Sequence, residues 1–442
     1  MNSQADISVI VVSRDRPDEL RKMLACLRFQ DISGFEVIVV TNTPGALDPS
    51  LQPARLRVFD CDEANISVAR NVGIAAANGR YLAFCDDDAL PDPSWLRLLL
   101  EPFENPDVGG VGGFTRGRNG ISLQWGAVET DRLGVAYPLD ISQYSEPVVF
   151  SPSEKSAPVM IGTNCAFRRK ALRQIGGFDP GFAYFLDDSD ISLRLSQEGW
   201  SLAIVPLAQV HHGFAAGPYR TRNRVPKTLE PHGKSKAYFC RKHATEQELE
   251  PALYAFKDLQ FGRLEKQMLA GLMEPHELPK LMVSLEKGYK TGGVASLTAR
   301  PNTGKPVGGP EPKFTRKKTP HVMLVGRKSN LDWMNTIAET LSRGEVMVTV
   351  LVLSRNASFM QINFSRMGFW IHKGGQFGKS GRNEPEFRCA SIAQKVRREV
   401  ERMAPIRPVD LLVYPERAIE DDTILPQTGV MSCLNEFVVE SV

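Results

Sequence analysis

The first quarter of the chain alternates short apolar runs with segments whose apolar residues recur at helical spacing. The apolar runs predict strands at 7–12, 35–40, 57–59 and 80–85. Helical spacing predicts one helix that begins at Pro17 and another over 67–77. Strands that alternate with helices indicate an α/β domain with a mostly parallel sheet, covered on both faces. In such sheets, ligands bind beyond the carboxyl ends of the strands.

The pattern changes twice further along the chain. A strand at 159–167 and helices around 172–175 and 187–197 continue the α/β pattern, and the region 246–289 has helical spacing throughout. Residues 291–320 hold five Gly, five Pro, six basic residues and one acidic residue, which is the composition of a linker. Strand and helix patterns then return between 321 and 413.

These changes predict four parts of the chain. We expect an α/β domain over 1–245, a helical extension over 246–290, a flexible linker over 291–320 and a small α/β domain over 321–442. The last part contains no recognisable chemical motif. We therefore expect it to be dispensable for the chemistry of the protein.

Composition narrows the class of protein and its location. The 442 residues are 42% hydrophobic and 24% charged with a formal net charge of +3, so charge gives no case for a nucleic-acid partner. The seven cysteines form no CxxC pair, which favours a reducing compartment. There is no signal-peptide pattern at the start and no apolar run of membrane-spanning length, so we expect a cytoplasmic protein.

The run FCDDDALPDPSW, residues 84–95, places three carboxylates at the end of a predicted strand. Because side chains alternate along a strand, Asp86 and Asp88 would point one way and Asp87 the other. Two carboxylates at this spacing suit a hard cation such as Mg2+ or Mn2+. Alternatively, the run is a solvated acidic turn before a helix that starts near Ser94.

The longer run NISVARNVGIAAANGRYLAFCDDDALPDPSWL, residues 65–96, resembles the nucleotide-sugar-binding segment of the family 2 glycosyltransferases. The opening run VIVVSRDRPDELRKMLACLRFQ resembles that family's first strand and helix. The resemblance implies a GT-A fold, which is Rossmann-like, and a nucleoside-diphosphate-sugar donor. It also implies that Asp88 holds the metal on the diphosphate, whereas Asp86 contacts ribose or shares the metal.

The same resemblance assigns further residues to donor binding. Where relatives commonly carry an aspartate that reads the base, this chain has Thr41 in VVTNTPG, which makes a UDP donor less secure than usual and leaves UDP- and dTDP-sugars as the favoured classes. The donor-binding residues that the resemblance implies are Ser13, Arg14, Arg16, Thr41, Arg70, Asn71, Asp86, Asp87 and Asn164.

A glycosyltransferase that inverts configuration needs a general base for the acceptor hydroxyl. The segment GGFDPGFAYFLDDSDISLRLSQEGW, residues 176–200, resembles the family's segment that carries this base. Asp187 stands where glutamate is usual, and Asp188 stands where the base is usual. Alternatively, both carboxylates only stabilise the positive end of a helix.

Two further features concern the metal and the acceptor. The run IVPLAQVHHGF resembles the place where relatives bring a histidine to the metal, and the alignment favours His212 with His211 one place early. Consecutive histidines point to different faces of a strand. The basic cluster Arg220, Arg222, Arg224 and Lys227 suits a phosphate or an anionic membrane surface, or is a solvated loop.

The sequence therefore predicts an inverting, metal-dependent glycosyltransferase that uses Mn2+ or Mg2+. Its acceptor would be a saccharide or a lipid-linked saccharide in cell-surface polysaccharide synthesis, with peripheral contact at the inner face of the membrane. A glycosyltransferase-like binding or scaffold protein is the alternative. A nucleotidyltransferase is disfavoured, because VVSRDRPDEL lacks the glycine-rich first loop expected there.

Overall fold

The computed structural model describes residues 6–44, 55–117, 119–213, 217–221, 223–297, 315–344, 346–415 and 437–441. Most of the predicted linker, residues 298–314, lies outside these ranges. Within the described part of the chain, no helix combines the length and the apolar character needed to cross a bilayer.

The strands and helices follow one another in an α/β order through most of the chain. The strands are β1 (Ile7–Ser13), β2 (Ile32–Ser33), β3 (Phe35–Thr41), β4 (Leu56–Asp60), β5 (Tyr81–Asp86), β6 (Ala89–Pro91), β7 (Val108–Arg116), β8 (Leu123–Trp125), β9 (Ala127–Asp131), β10 (Ala136–Leu139), β11 (Val148–Phe150), β12 (Ser156–Pro158), β13 (Asn164–Arg168), β14 (Ser201–His212), β15 (Thr315–Arg316), β16 (His321–Gly326), β17 (Met347–Ser354), β18 (Gln361–Phe364), β19 (Trp370–Gly375), β20 (Leu411–Pro415) and β21 (Phe437–Ser441). The helices are α1 (Pro17–Leu27), α2 (Ile66–Ala76), α3 (Trp95–Leu100), α4 (Arg169–Ile175), α5 (Asp187–Gln197), α6 (Glu230–His243), α7 (Glu246–Leu269), α8 (Glu277–Val294), α9 (Leu331–Arg343) and α10 (Ile392–Met403).

The large sheet has the strand order β11-β14-β7-β13-β5-β1-β3-β4. Its central strands β5, β1, β3 and β4 are parallel, β7 and β14 are parallel to each other, and β13 runs antiparallel between the two groups. Alternate residues of β1 pack on opposite faces: Val9 lies against Leu24 of α1, and Ile10 lies against Ile74 of α2. The expected α/β class with a mostly parallel sheet is confirmed.

The predicted strand over 159–167 is too long, because the chain turns before β13 begins at Asn164. The turn contains Gly162, where a Cβ atom would overlap the guanidinium of Arg70. An apolar run alone does not reveal this close approach. The turn brings Thr163 to the carboxyl edge of the sheet instead of leaving it within a strand.

The helical part begins earlier than predicted, at α6, and α8 extends to Val294. Gly288 of α8 lies directly against the backbone of α6, since a Cβ there would meet the carbonyl oxygen of Glu230. Lys242 and His243 at the end of α6 both contact Asp190 of α5, at 2.8 Å each. The helical part is thus tied to the helix that carries Asp187 and Asp188.

The chain then returns to the first sheet region before it forms a second sheet. Strand β15 pairs with β2, and the second sheet has the order β18-β19-β17-β16-β20-β21. One face of this sheet, which includes Met323 and Trp370, packs against Cys26, Phe29 and Ile121 of the first part of the chain. The other face packs on α9 through Met334. The expected additional C-terminal sheet is present, and it is docked on the first.

Gly288→Ala should destabilise the protein by about 1–3 kcal/mol, because the new methyl group must push α8 away from α6. Gly293→Ala is the matched control in the same helix: a Cβ at Gly293 meets nothing within 4 Å. This control should stabilise by up to about 1 kcal/mol through helix propensity. Thermal unfolding of both variants measures the difference, and equal melting temperatures would contradict the close helix contact.

Candidate active site

The candidate site lies at the edge of the large sheet where three parallel strands end together. Ser13 ends β1 beside Thr41 of β3, and Asp86 ends β5 beside Val12 of β1. This is the edge at which α/β sheets bind ligands. The strands predicted from the apolar runs therefore bring these polar residues to one place.

The aspartate triplet divides between the interior and the site. Asp87 is fully buried, and its carboxylate accepts a hydrogen bond from Ser13 Oγ at 2.7 Å and pairs with Arg16 at 3.0 Å. Asp86 accepts a hydrogen bond from Thr163 Oγ1 at 2.6 Å. The strand ends at Asp86, so the extended geometry does not continue through Asp87 and Asp88, which lie in a turn. Within this turn Asp87 faces the interior and holds the loop of Arg16.

Asp86, Asp88 and His212 form the candidate metal centre. One possible ligand atom from each lies within 4.8 Å of the others, and His212 Nε2 is 3.0 Å from Asp88 Oδ1. Gln124 Oε1 lies 2.6 Å from His212 Nδ1, which orients the ring. Two carboxylates and an imidazole are a donor set that suits Mn2+. The residues present therefore fit a divalent cation.

His211 points to the other side of the strand, as the alternation of side chains requires. Its Nε2 is 3.1 Å from the carboxylate of Asp92, and its ring lies 5.2 Å from that of Trp370. Both histidines are buried. Of the two alternatives that the sequence left open, the geometry brings His212, not His211, to the aspartates.

Arg70 links the candidate metal centre to the candidate base. Its buried guanidinium donates hydrogen bonds to Asp187 and, at 3.2 Å, to Asp188, and it lies 3.8 Å from Asp86. The same guanidinium stacks over the ring of Phe178 at 4.9 Å. Three carboxylates thus share one fixed positive charge, which limits their mutual repulsion.

Helix α5 presents Asp187 and Asp188 to this arginine. The residue before the helix, Leu186, has the left-handed backbone conformation φ 65°, which a branched side chain adopts only at a cost of about 1–3 kcal/mol. This turn directs the first residues of the helix toward the sheet edge. Strain of this kind is typical of functional sites, where the surrounding structure maintains it.

The pKa of Asp188 is raised to about 8, first by burial and then by the neighbouring charge of Asp187. Arg70 and the backbone N–H of Gly162 oppose this shift without cancelling it. The side chain is still 26% exposed, so it remains accessible from the site. An accessible carboxylate with a pKa this high has the strength required of a general base.

Several predicted donor-binding residues use their polar atoms within the protein. Asn164 is fully buried, and its side-chain amide accepts a hydrogen bond from Trp95 Nε1 and donates to two backbone carbonyl groups. These contacts hold the interior behind the site, and a donor contact of Asn164 stays a prediction. Asn71 pairs with the backbone of Phe178 through both amide atoms, so it supports the site from behind.

Other predicted residues lie at the rim of the site or near it. Thr41 Oγ1 accepts a hydrogen bond from the backbone N–H of Thr43, and Arg14 binds the backbone of Asp62 at 2.7 Å. In the basic cluster, Arg222 lies outside the described residues, and Lys227 donates to a backbone carbonyl at 3.1 Å. Sequence reasoning missed Gln124, which stands in no recognisable motif.

Comparison with known proteins finds similarity in the first part of the chain. Residues 8–176, less than half of the chain, match the model of glycosyl transferase family 2. The O-antigen biosynthesis protein RfbC of Myxococcus xanthus is 28% identical over 236 residues, which are 50% of this chain and 18% of that protein. The pre-mycofactocin glycosyltransferase of Mycobacterium tuberculosis is 28% identical over 225 residues, 48% of this chain and 43% of that protein. The chain thus spans less than half the length of these two relatives.

A solved structure, S. aureus TarS 1-349 in complex with UDP-GlcNAc, aligns with 65% of this chain and 81% of its own. The sequence identity is 14% and the TM-score is 0.42. A similarity this low supports no conclusion about the present chain.

Asp188→Asn should stabilise the protein at high pH and not at low pH. Because the pKa of Asp188 is about 8 in the folded state, against an ordinary value of 3.8, the folded state loses stability as the pH rises through this interval. Asparagine removes that cost, so we expect a melting temperature about 2–6 °C higher at pH 9 and unchanged at pH 4.

Asp190→Asn is the control of opposite sign. Although burial alone would raise its pKa, Asp190 is paired with Arg194, His243 and Lys242, and the net shift is downward. Its stabilisation is therefore present at neutral pH and is lost as the pH falls into the acid range. Asp190→Asn should lower the melting temperature at pH 7. Equal pH profiles for the two variants would contradict the assigned electrostatics.

Proposed function

We propose that this protein is an inverting, metal-dependent glycosyltransferase that moves a sugar from a nucleoside-diphosphate sugar to a saccharide or lipid-linked saccharide acceptor. One observation carries the proposal. The carboxylates of a candidate metal centre and a carboxylate with a raised pKa share one buried arginine, with Arg70 3.8 Å from Asp86 and 3.2 Å from Asp188. Inverting transfer needs both groups around one sugar.

Asp86, Asp88 and His212 would hold the divalent cation, with Mn2+ or Mg2+ as the candidates. When bound, the cation neutralises the charge that develops on the leaving diphosphate. Arg16, which lies 3.4 Å from Asp88, is placed to contact the same phosphates. Ser13 and Asp87 fix the position of Arg16 from the interior, as their contacts with each other and with Arg16 indicate.

Asp188 would take the proton from the acceptor hydroxyl. Its carboxylate is held by Arg70 and by the backbone N–H of Gly162, so its position is fixed before the acceptor arrives. Asp187 pairs with the same arginine and raises the pKa of Asp188 by its charge. Asp187 is therefore a positioning and tuning residue in this proposal.

The proposed donor base rests on the end of β3, and the proposed acceptor rests on the names of relatives. Thr41 ends β3 at the site edge, where its hydroxyl and the adjacent backbone could meet a pyrimidine, so UDP- and dTDP-sugars are the donors to test first. Names of relatives include an O-antigen biosynthesis protein and a succinoglycan biosynthesis protein of Rhizobium meliloti. They support a role in cell-surface polysaccharide synthesis.

A binding or scaffold protein without turnover remains the second candidate function. The observation that would favour it is the extensive pairing of the site carboxylates with Arg16 and Arg70. These pairs give the carboxylates counter-charges without any ligand. Donor hydrolysis by the purified protein separates the two functions directly.

Asp88→Asn should abolish metal-dependent donor binding. Thermal-shift measurements with UDP- and dTDP-sugars and Mn2+ test this, because a ligand at 100 times its dissociation constant stabilises the fold by about 2.7 kcal/mol. We expect a shift with wild-type protein that disappears with chelator and in Asp88→Asn. Donor-induced stabilisation that survives chelator would contradict the metal assignment.

Asp188→Asn should leave the donor-induced thermal shift intact and reduce sugar transfer by about 100-fold to 10,000-fold, as loss of a general base does. Transfer is measured with the donor identified by the thermal-shift experiment and a panel of saccharide acceptors. Asp179→Asn is the control, because Asp179 is another buried carboxylate, and it pairs with Lys242. Loss of donor binding and transfer together in Asp188→Asn would point to a structural role instead.

A further inference from the structure

The C-terminal sheet contacts the strands of the candidate metal centre from behind. Arg407 is 99% buried, and its guanidinium stacks over the ring of Trp370 at 3.9 Å. The same guanidinium lies 3.6 Å from the carboxylate of Asp92 and 3.0 Å from His372 Nε2. Arg407, from the last part of the chain, thus brings a buried positive charge to Asp92 in the first part.

Asp92 also contacts His211 of β14. The Nε2 atom of His211 is 3.1 Å from the carboxylate of Asp92, and both side chains are buried. The pKa of Asp92 is lowered, since His211 and Arg407 together outweigh the effect of burial. Asp92 is therefore an anion whose charge Arg407 balances.

His211 directly precedes the candidate ligand His212 on β14. Asp92 directly follows β6, the strand that begins after the candidate ligand Asp88 and pairs with β14. In the pairing of β14 with β6, His211 lies opposite Leu90, and His212 lies opposite Ala89, the residue after Asp88. The backbone N–H of Gly213 also donates to the carbonyl of Asp88 at 2.7 Å. A shift of Asp92 against His211 would therefore change the distance between Asp88 and His212.

A second contact fixes the same place. The backbone N–H and the hydroxyl of Ser94 both bind the carbonyl oxygen of Ile406, the residue before Arg407. The segment that follows the short strand β6 is thereby fastened to the C-terminal part of the chain at Ser94 as well as at Asp92. The dispensability of this part for turnover stays a prediction, and these contacts argue against it.

We propose that Arg407 and Trp370 of the C-terminal part are positioning residues for the metal centre, acting through Asp92 and His211. This inference rests on the proposed metal-dependent function. Stability alone gives no reason for the arrangement, because buried ion pairs are often no more stabilising than apolar residues of similar size. What an ion pair adds here is a defined direction and distance, and residues behind metal ligands commonly control metal affinity by such contacts.

Arg407→Met should weaken Mn2+ binding to the full-length protein by about 10-fold, measured with the metal alone from the electron paramagnetic resonance signal of free Mn2+. Arg407→Lys keeps the charge and should recover most of the affinity. Asp92→Asn is isosteric and should weaken binding to the same extent, and the double variant should be no worse than either single one. If Arg407→Met does not fold, Asp92→Asn gives the answer alone.

Met334→Ala is the matched control, since Met334 is buried in the apolar cluster on the opposite face of the same sheet, whereas Trp370 belongs to the cluster on the first face. It should lower the melting temperature and leave Mn2+ affinity unchanged. Folded Arg407→Met and Asp92→Asn proteins with wild-type affinity would overturn the inference, provided that Asp88→Asn abolishes binding. Wild-type protein that binds no Mn2+ overturns the proposed metal dependence, and the inference falls with it.

Discussion

The buried guanidinium of Arg70 is the interaction on which the site depends. Without it, Asp86, Asp187 and Asp188 would face one another as like charges in a region of low dielectric. The arginine reaches them only because Gly162 has no side chain and because Phe178 offers its ring as a support. The left-handed backbone at Leu186 and the turn that precedes β13 both allow this contact to form. The fold around the site is thus organised by charge as much as by apolar packing.

Local patterns predicted the parts of the site that lie on regular elements. The apolar runs placed Ser13, Thr41 and Asp86 at strand ends, and parallel pairing brings those ends to a single edge. Alternation along a strand also predicted that the two histidines of β14 would point to different sides. These predictions succeed because they need only the period of the strand and the direction of the sheet.

Contacts between distant segments could not be predicted in this way. The side-chain amide of Asn164 forms hydrogen bonds with Trp95 and with carbonyl groups of two other strands. No motif around Asn164 indicates these contacts. Helix α6 joins the helical part through its close contact with Gly288 of α8. From sequence alone, a glycine within a helix indicates only a lower helix propensity. Arg407 lies in an unremarkable basic segment of the sequence, and only the folded chain shows that it meets Asp92.

The placement of Arg407 also has a consequence for the order of events during synthesis. Domains fold as they emerge from the ribosome, amino-terminal part first, at roughly 5–20 residues per second. About 320 residues separate Asp88 from Arg407, which corresponds to a delay of roughly 15–60 s between the two. A nascent chain would therefore carry the carboxylates, the histidine and the base well before the segment that fixes their spacing. Full competence for the cation would be acquired only when the last part of the chain has docked.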